Sequence, residues 1–226
     1  MTVSYLITCS NETDTLTRLL KRVQSVIGND NIIILADEPH DEKTHNILGA
    51  FHHWAGGRLL THPLNNDYGG HKNFGIEHCE GDFIFQIDGD EMPPDSLLGE
   101  NLHALLESNP SIEAYAVPRM NDFRGVTEDH AKQWGWRMST SPTCDNRPIV
   151  NWPDYQWRIF KRDYPRISFT RRLHEKIEGY ETHVILPMDE EWAIYHDKTI
   201  ETQIKTNLRY NQMFSQDENK GHNVFK

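Results

Sequence analysis

Apolar residues in the first half of the chain keep two rhythms in turn. Residues 3–8 make a short β-prone run. Leu16, Leu19, Leu20, Val23, Val26 and Ile27 then recur at spacings of three and four, and Gly28 is placed to end the helix they predict. Residues 31–36 are an apolar run of the kind found in strands covered on both faces. The pattern goes on to predict a helix over 41–54, a strand at 58–61, a helix from Gly70 through Cys79 and a strand at 83–87. Strand, helix, strand, helix, strand with short connections implies an α/β fold, a largely parallel sheet with helices on both faces. In such sheets ligands sit outside the carboxyl ends of the strands. Asp37, Asp88 and Asp90 all fall just after predicted strands.

Further on, Pro93 and Pro94 start a helix with Leu97, Leu98, Leu102, Leu105 and Leu106 on one side, and Asn109 and Pro110 end it. A strand is predicted at 114–118. From 121 to 153 no steady period holds, which predicts a long lid or binding loop. Short β-like runs return at 156–161, 184–186 and 192–195, followed by a helix over 200–214 and a polar tail expected to fray.

The 226 residues suit one domain, or one domain carrying a small second lobe, and 37% hydrophobic with 25% charged residues is the balance of a soluble globular protein. The longest apolar run, at 32–36, falls far short of the roughly 20 residues needed to cross a bilayer. The N-terminus lacks a basic segment followed by a long apolar stretch, so it reads as a first strand and not as a secretion signal. Cys9, Cys79 and Cys144 lie far apart without pairing or metal-binding spacing. An odd count without a signal points to free thiols in a reducing cytoplasm. The net charge of −11 argues against a generic nucleic-acid coat. Arg158, Lys161, Arg162, Arg166, Arg171, Arg172 and Lys176 form either a solvated face or a basic lip on this acidic body.

The strongest chemical signal is Asp88-Gly89-Asp90, followed by Glu91. Two carboxylates two residues apart, just after a buried strand, can face one small site when the backbone bends at Gly89. Hard cations such as Mg2+ and Mn2+ prefer oxygen ligands and commonly bridge protein carboxylates to substrate phosphates. Such an ion would neutralise a diphosphate leaving group. The motif stands at the end of an apolar strand and before a proline-started helix, a placement that a solvated acidic turn does not need.

Residues 3–95 resemble the nucleotide-binding half of family 2 glycosyltransferases, which have the GT-A (Rossmann-like) fold. The resembling residues are the turn from Leu6 to Glu12, Asp37 after its strand, the segment from Tyr68 to Ile76 and the D-x-D motif. His71 and Lys72 replace the more usual Ala and Arg before Asn73, and Glu91 stands where many members have Asp. The resemblance implies a donor half at 1–118, an acceptor half at 119–198, and a C-terminal helix and tail at 199–226. Thr8 and Glu12 would line the base pocket, Asp37 would contact the uracil or ribose, and Lys72 would lie near the diphosphate. Asp88 would approach the ribose and the metal, Mn2+ or Mg2+, and Asp90 would bind that metal. Asp37 reads equally as a turn or N-cap carboxylate, and Lys72 as a plain surface lysine.

Two segments of the second half resemble a bacterial sugar-transferase branch. Trp157 to Arg162 with Arg172 to Ile177 looks like its acceptor-side His-Glu segment, and Trp192 to Lys198 like its closing strand. By that analogy Glu175 is the general base, and His196 a third metal ligand or a phosphate contact. Glu175 could instead pair with Arg171 or Arg172, and Asp154 and Asp129 are rival bases. Trp134, Trp136 and Trp152 suit either sugar stacking or lid packing. The expected activity is inverting transfer from a nucleotide-sugar, UDP-linked, to an acceptor hydroxyl. A saccharide acceptor is favoured, and a modified DNA base is allowed. The rivals are a nucleotidyltransferase, which usually needs a glycine-rich basic loop absent near residues 9–14, and an inactive nucleotide-sugar-binding protein.

Overall fold

The period-two alternation of the first strands sends side chains to opposite faces, and each face meets its own helices. The computed structural model describes residues 1–52, 57–141 and 146–219. Strands β1 (Val3–Cys9), β2 (Asn31–Ala36), β3 (Gly57–Thr61) and β4 (Phe83–Asp88) pair in parallel in the order β3-β2-β1-β4. Helices α1 (Thr13–Gln24), α2 (Glu42–His52) and α3 (Tyr68–Glu77) connect them. Val3, Tyr5 and Ile7 of β1, with Phe83, Phe85 and Ile87 of β4, pack against the Leu16, Leu19, Leu20 and Val23 stripe of α1 and against Leu48 and Phe51 of α2. Leu6, Ile33, Leu35 and Ile84 point the other way, towards Ile76 of α3. The chain leaves β1 towards β2 on one side and returns at β4 on the other. The carboxyl ends of β1 and β4 therefore form the switch point at which such sheets open a crevice.

The sheet then continues through β8 (Pro148–Lys161), antiparallel to β4, and on to β6 (Ala114–Arg124), β12 (Ile194–Thr199) and the two-residue β5 (Glu91–Met92). Short strands β7 (Met138–Thr140) and β11 (His183–Ile185) add to β8 and β6, so ten strands among the described residues form one mixed sheet. A separate hairpin, β9 (Ser168–Thr170) with β10 (Lys176–Glu178), lies beside α3, and α6 (Ile200–Met213) follows β12. No helix among the described residues is long and apolar enough to cross a membrane.

The α/β order expected from the hydrophobic pattern is the order observed, with boundaries shifted by a few residues. The end of the helix expected over 41–54 lies outside the described residues, as do Cys144 and most of the polar tail. Cys9 and Cys79 are buried free thiols. The helix expected after Pro94 divides into a single 3-10 turn, Asp95–Leu97, and α4 (Gly99–Ser108).

The long loop expected over 121–153 needs a larger correction. There β6 runs on through Arg124, α5 (Glu128–Trp134) follows with Thr127 as its N-cap, and β8 begins at Pro148. The period is lost because β6 and β8 carry register shifts between Tyr115 and Ala116 and between Arg119 and Asn121. Each bulge re-aims the side chains beyond it. Both strands also bury polar residues that pair inside the protein instead of facing water, among them Asn121, Asp122 and Arg158.

Candidate active site at the carboxyl ends of β1 and β4

Thr8 and Asp88 are register partners at the ends of β1 and β4, and the Thr8 hydroxyl donates to Asp88 Oδ1 at 2.9 Å. The chain then turns through Gly89, whose amide donates to the Thr8 carbonyl at 2.8 Å. A Cβ on Gly89 would lie 3.1 Å from Cys9 Cβ and 3.2 Å from that carbonyl, so the acidic turn approaches β1 more closely than most side chains permit. Glu12 accepts the Ser10 amide at 2.6 Å. Burial, reinforced by Asp90 and Asp88, raises its carboxyl above the usual range. Asp37 accepts the Leu64 amide at 2.8 Å and so braces the backbone beyond β3, as a turn carboxylate does.

Lys72 is not a surface lysine: it is 3% exposed, on the sheet-facing side of α3. Its ammonium lies 2.6 Å from Glu175 Oε1, 3.0 Å from Asp88 Oδ1 and 3.3 Å from Gln86 Oε1. Burial opposes the Lys72 charge, but Asp88 and Glu175 outweigh it and raise its pKa. Glu175 thus pairs with Lys72 instead of Arg171 or Arg172. Burial pushes its carboxyl up, Lys72 pulls it down further, and the balance lies below the usual range.

The segment carrying Glu175 is tied to α3 by several contacts. The Tyr68 amide donates to the Arg172 carbonyl at 2.8 Å, and the Asn73 side chain both donates to and accepts from the Phe169 backbone at 2.8 Å. A Cβ on Gly69 would meet the Arg171 carbonyl oxygen at 2.3 Å, so only glycine permits this approach. Arg171 and His174 adopt φ of 72° and 53°, left-handed values that cost a non-glycine residue energy and are tolerated where surroundings impose them.

Asp88 is saturated. Besides Thr8 and Lys72 it accepts from Gln86 at 2.8 Å, and its second oxygen accepts from Arg158 at 2.7 Å. Burial works against its charge, yet Arg158 and Lys72 together hold the carboxyl well below the usual range. Arg158 also reaches Glu91 at 2.5 Å and bonds Gln86 Oε1. Glu91 passes the network on to Arg119 at 3.1 Å, and Arg119 holds Asp154 at 2.6 Å. Asp154 further accepts from Asn121 and Gln156, both at 2.9 Å.

Asp90 faces the opposite way, towards β12. Its Oδ2 lies 3.2 Å from His196 Nε2 and 3.1 Å from Lys198 Nζ. The Asn121 amide nitrogen is engaged with Asp154 and the Val150 carbonyl, so its oxygen faces His196 Nδ1 at 2.8 Å. That oxygen accepts only, so Nδ1 carries the hydrogen and Nε2 is the atom aimed at Asp90. Behind the ring, Phe123 packs edge-on at 5.6 Å, with Trp136 and Trp134 beyond it. Trp134 and Trp136 therefore support the wall behind His196, and Trp152 packs near Met120, Ile149 and Ala193. Asp129 lies in the exposed first turn of α5.

Asp90 and His196 present a hard oxygen and an imidazole nitrogen to one point, a donor pair suited to Mn2+ and, less well, to Mg2+. Among the described residues no group of three or more His, Cys, Asp and Glu side chains is placed to hold a metal. A nucleoside diphosphate would have to supply further oxygen ligands.

Arg158, Arg119, Gln86, Asn121 and Lys198 were not singled out by the sequence as site residues. Arg158 is the residue skipped where Tyr115 pairs with Ile159 and Ala116 with Trp157. The bulge turns it inwards, where it is 3% exposed. The basic stretch that contains it forms no continuous lip. Lys161 bonds the Pro110 carbonyl, Arg162 the Gly81 carbonyl, and Arg166 pairs with Glu113 and Asp163.

The family profile described as "Glycosyl transferase family 2" matches residues 4–175. An undecaprenyl-phosphate 4-deoxy-4-formamido-L-arabinose transferase of Edwardsiella ictaluri (strain 93-146) is 32% identical over 101 residues, covering 42% of this chain and 31% of that enzyme. The matched stretch thus spans about a third of that relative. Among solved structures, S. aureus TarS 1–349 superposes with a TM-score of 0.60 at 14% identity, over 87% of this chain and 60% of that one. The mannosyltransferase PcManGT of Pyrobaculum calidifontis, solved with GDP-Man and Mn2+, gives 0.56 at 13% identity, over 85% and 56%. At such identities these likenesses establish the fold, the GT-A arrangement expected from the resemblance. The profile match covers well over half of the residues and spans β1 to β4 with the acidic turn that follows: the chain belongs to glycosyl transferase family 2.

Proposed function

We propose that this protein transfers a sugar from a UDP-linked donor to an acceptor hydroxyl, with inversion at the anomeric carbon, and that it depends on a divalent metal. The observation that carries this reading is convergence. Thr8, Lys72, Asp88, Asp90, Glu175 and His196 come from five separate segments, yet meet at the switch point of one sheet.

In this reading Thr8, Glu12 and Asp37 line the nucleoside end. Asp90 and His196 hold Mn2+ or Mg2+, which when bound supplies positive charge to the diphosphate as the sugar leaves. Glu175 is ionised at neutral pH and takes the proton of the acceptor hydroxyl as that oxygen attacks from the face opposite the diphosphate. Lys72 and Arg158 keep Asp88 charged and fixed, so the residue that orients the donor does not swing between partners. Asp154 is a poor base by comparison, because Arg119, Asn121 and Gln156 already occupy its oxygens.

UDP is the nucleotide proposed because TarS was solved with UDP-GlcNAc and the family resemblance assigns Asp37 to the uracil or ribose. The acceptor proposed is a saccharide hydroxyl. Relatives named for undecaprenyl-phosphate sugar transfer make a lipid phosphate the second candidate. The dispersal of the basic stretch and the net charge of −11 count against DNA.

Calorimetric titration of UDP with and without Mn2+, beside an Asp90→Ala variant, tests the donor site. Binding that needs the metal and vanishes in the variant is the expected result. Failure of UDP and of other nucleotides to bind would overturn it.

A further inference from the structure

Lys198 lies on β12 two residues beyond His196, so both side chains leave the strand on one face. Its ammonium sits 3.1 Å from Asp90 Oδ2, the same oxygen that His196 approaches at 3.2 Å. Its side chain is 16% exposed, and among the described residues Asp90 is its ion-pair partner. The contact raises a conflict. A divalent ion on that oxygen would stand within a few ångströms of a fixed ammonium charge, and like charges at that range repel strongly in a partly dry site. Asp90 can bind a metal well only if Lys198 withdraws. When a nucleotide arrives with the metal, the nearest new anion is its diphosphate, and a flexible four-carbon stem lets an ammonium follow it.

We propose that Lys198 is an exchangeable counter-ion: it neutralises Asp90 in the empty site and moves to the diphosphate of the bound nucleotide when a divalent cation takes Asp90. The inference rests on the donor-site reading above and adds a phosphate-binding residue to it. Metal and nucleotide then bind with positive coupling, because each removes an obstacle to the other. In the empty protein Lys198 guards Asp90 against loose metal. In the loaded protein it adds a cation to the leaving group.

The test separates these two tasks by their opposite signs. Mn2+ alone would be titrated into wild type, Lys198→Met and Lys198→Arg, with free ion read by electron paramagnetic resonance. UDP would then be titrated by calorimetry at saturating Mn2+, and thermal melts would check folding. Lys198→Met is expected to bind Mn2+ alone about tenfold more tightly and UDP about tenfold more weakly, the size of one charge-assisted contact. Lys198→Arg is expected to stay close to wild type on both. Unchanged or weaker Mn2+ binding by a folded Lys198→Met protein, or both affinities moving the same way, would overturn the exchange. If wild type binds UDP with Mn2+, Asp90→Ala does not, and Lys198→Met matches wild type, the exchange alone fails. If wild type takes up neither Mn2+ nor UDP, the exchange falls together with the donor-site reading.

Discussion

The two sides of the sheet are built on different principles. From β1 to β4 the chain follows a regular parallel order, and its strands are largely apolar on both faces. From β6 to β12 the strands are mixed in direction, two register shifts interrupt the longest pair, and charged side chains lie inside. The first side is held by area removed from water, an undirected force that tolerates small adjustments. The second shares that apolar core through Tyr115, Val117, Ile159 and Ile194, and adds a run of alternating charges, from Glu175 through Lys72, Asp88, Arg158, Glu91 and Arg119 to Asp154, in which each member depends on its neighbours. A buried network of this kind adds little net stability when complete and costs a great deal when broken. Its role is to fix the geometry of the site that it borders.

The sharpest way to break the comparison is to remove one charge from the network. Arg158→Met leaves Asp88 and Glu91 each short of a partner, and a loss of about 3–5 kcal/mol is expected in urea unfolding. Leu19→Ala on the apolar side has a similar cost of about 2–5 kcal/mol from its cavity. The two differ in response to pH. The Arg158→Met deficit should shrink at mildly acidic pH, as the stranded carboxylates take up protons, while the Leu19→Ala deficit should not.

Next in size is Glu175→Gln. Turnover is expected to fall about 100- to 10,000-fold, the usual worth of a positioned base, with UDP affinity nearly unchanged. Normal turnover in this variant, with activity abolished by Asp154→Asn, would show that the base had been assigned to the wrong carboxylate.

Acid should act on the wild type through the same network. Asp88, Asp154 and Glu175 all have depressed carboxyl pKa values in the folded state, under net attraction from Arg158, Arg119 and Lys72 respectively. Groups of this sign contribute stability that is present above their unfolded pKa of about 4 and is lost as pH falls below it, about 1.4 kcal/mol per unit of depression. The urea midpoint should therefore hold from pH 7 to 5 and drop steeply between pH 4 and 2. The fall should be shallower in Arg158→Met.

The smallest effect expected is that of Gly69→Ala. Its methyl group would press on the Arg171 carbonyl and push the Glu175 segment away from α3. Stability should fall by about 1–3 kcal/mol. Turnover should fall more than nucleotide affinity, because only the base is displaced.

Most of the parallel side was legible in the chain, and particular residues show why. The Leu16 to Val23 stripe, the apolar run at 31–36 and the acidic turn after β4 are local signals, each readable within a window of about ten residues. Asp88 and Asp90 were recognised together, but not that they face different partners, Asp88 turned to Lys72 and Arg158 and Asp90 to His196 and Lys198. Lys72 carried no mark of burial, since a lysine on a helix reads as solvated unless its anions are known.

The sequence by itself determined the α/β order and the acidic motif at the carboxyl end of an apolar strand, because these follow from periodicity and chain direction. Only the tertiary structure decided which charges meet. Glu175 is 103 residues from Lys72, and Asp90 is 106 from His196. Arg158 points inwards because a bulge shifts the register of β8 against β6. Pairings at such separations depend on where whole strands come to rest, and a bulge of one residue changes which face a side chain takes. No local pattern in the chain records that shift.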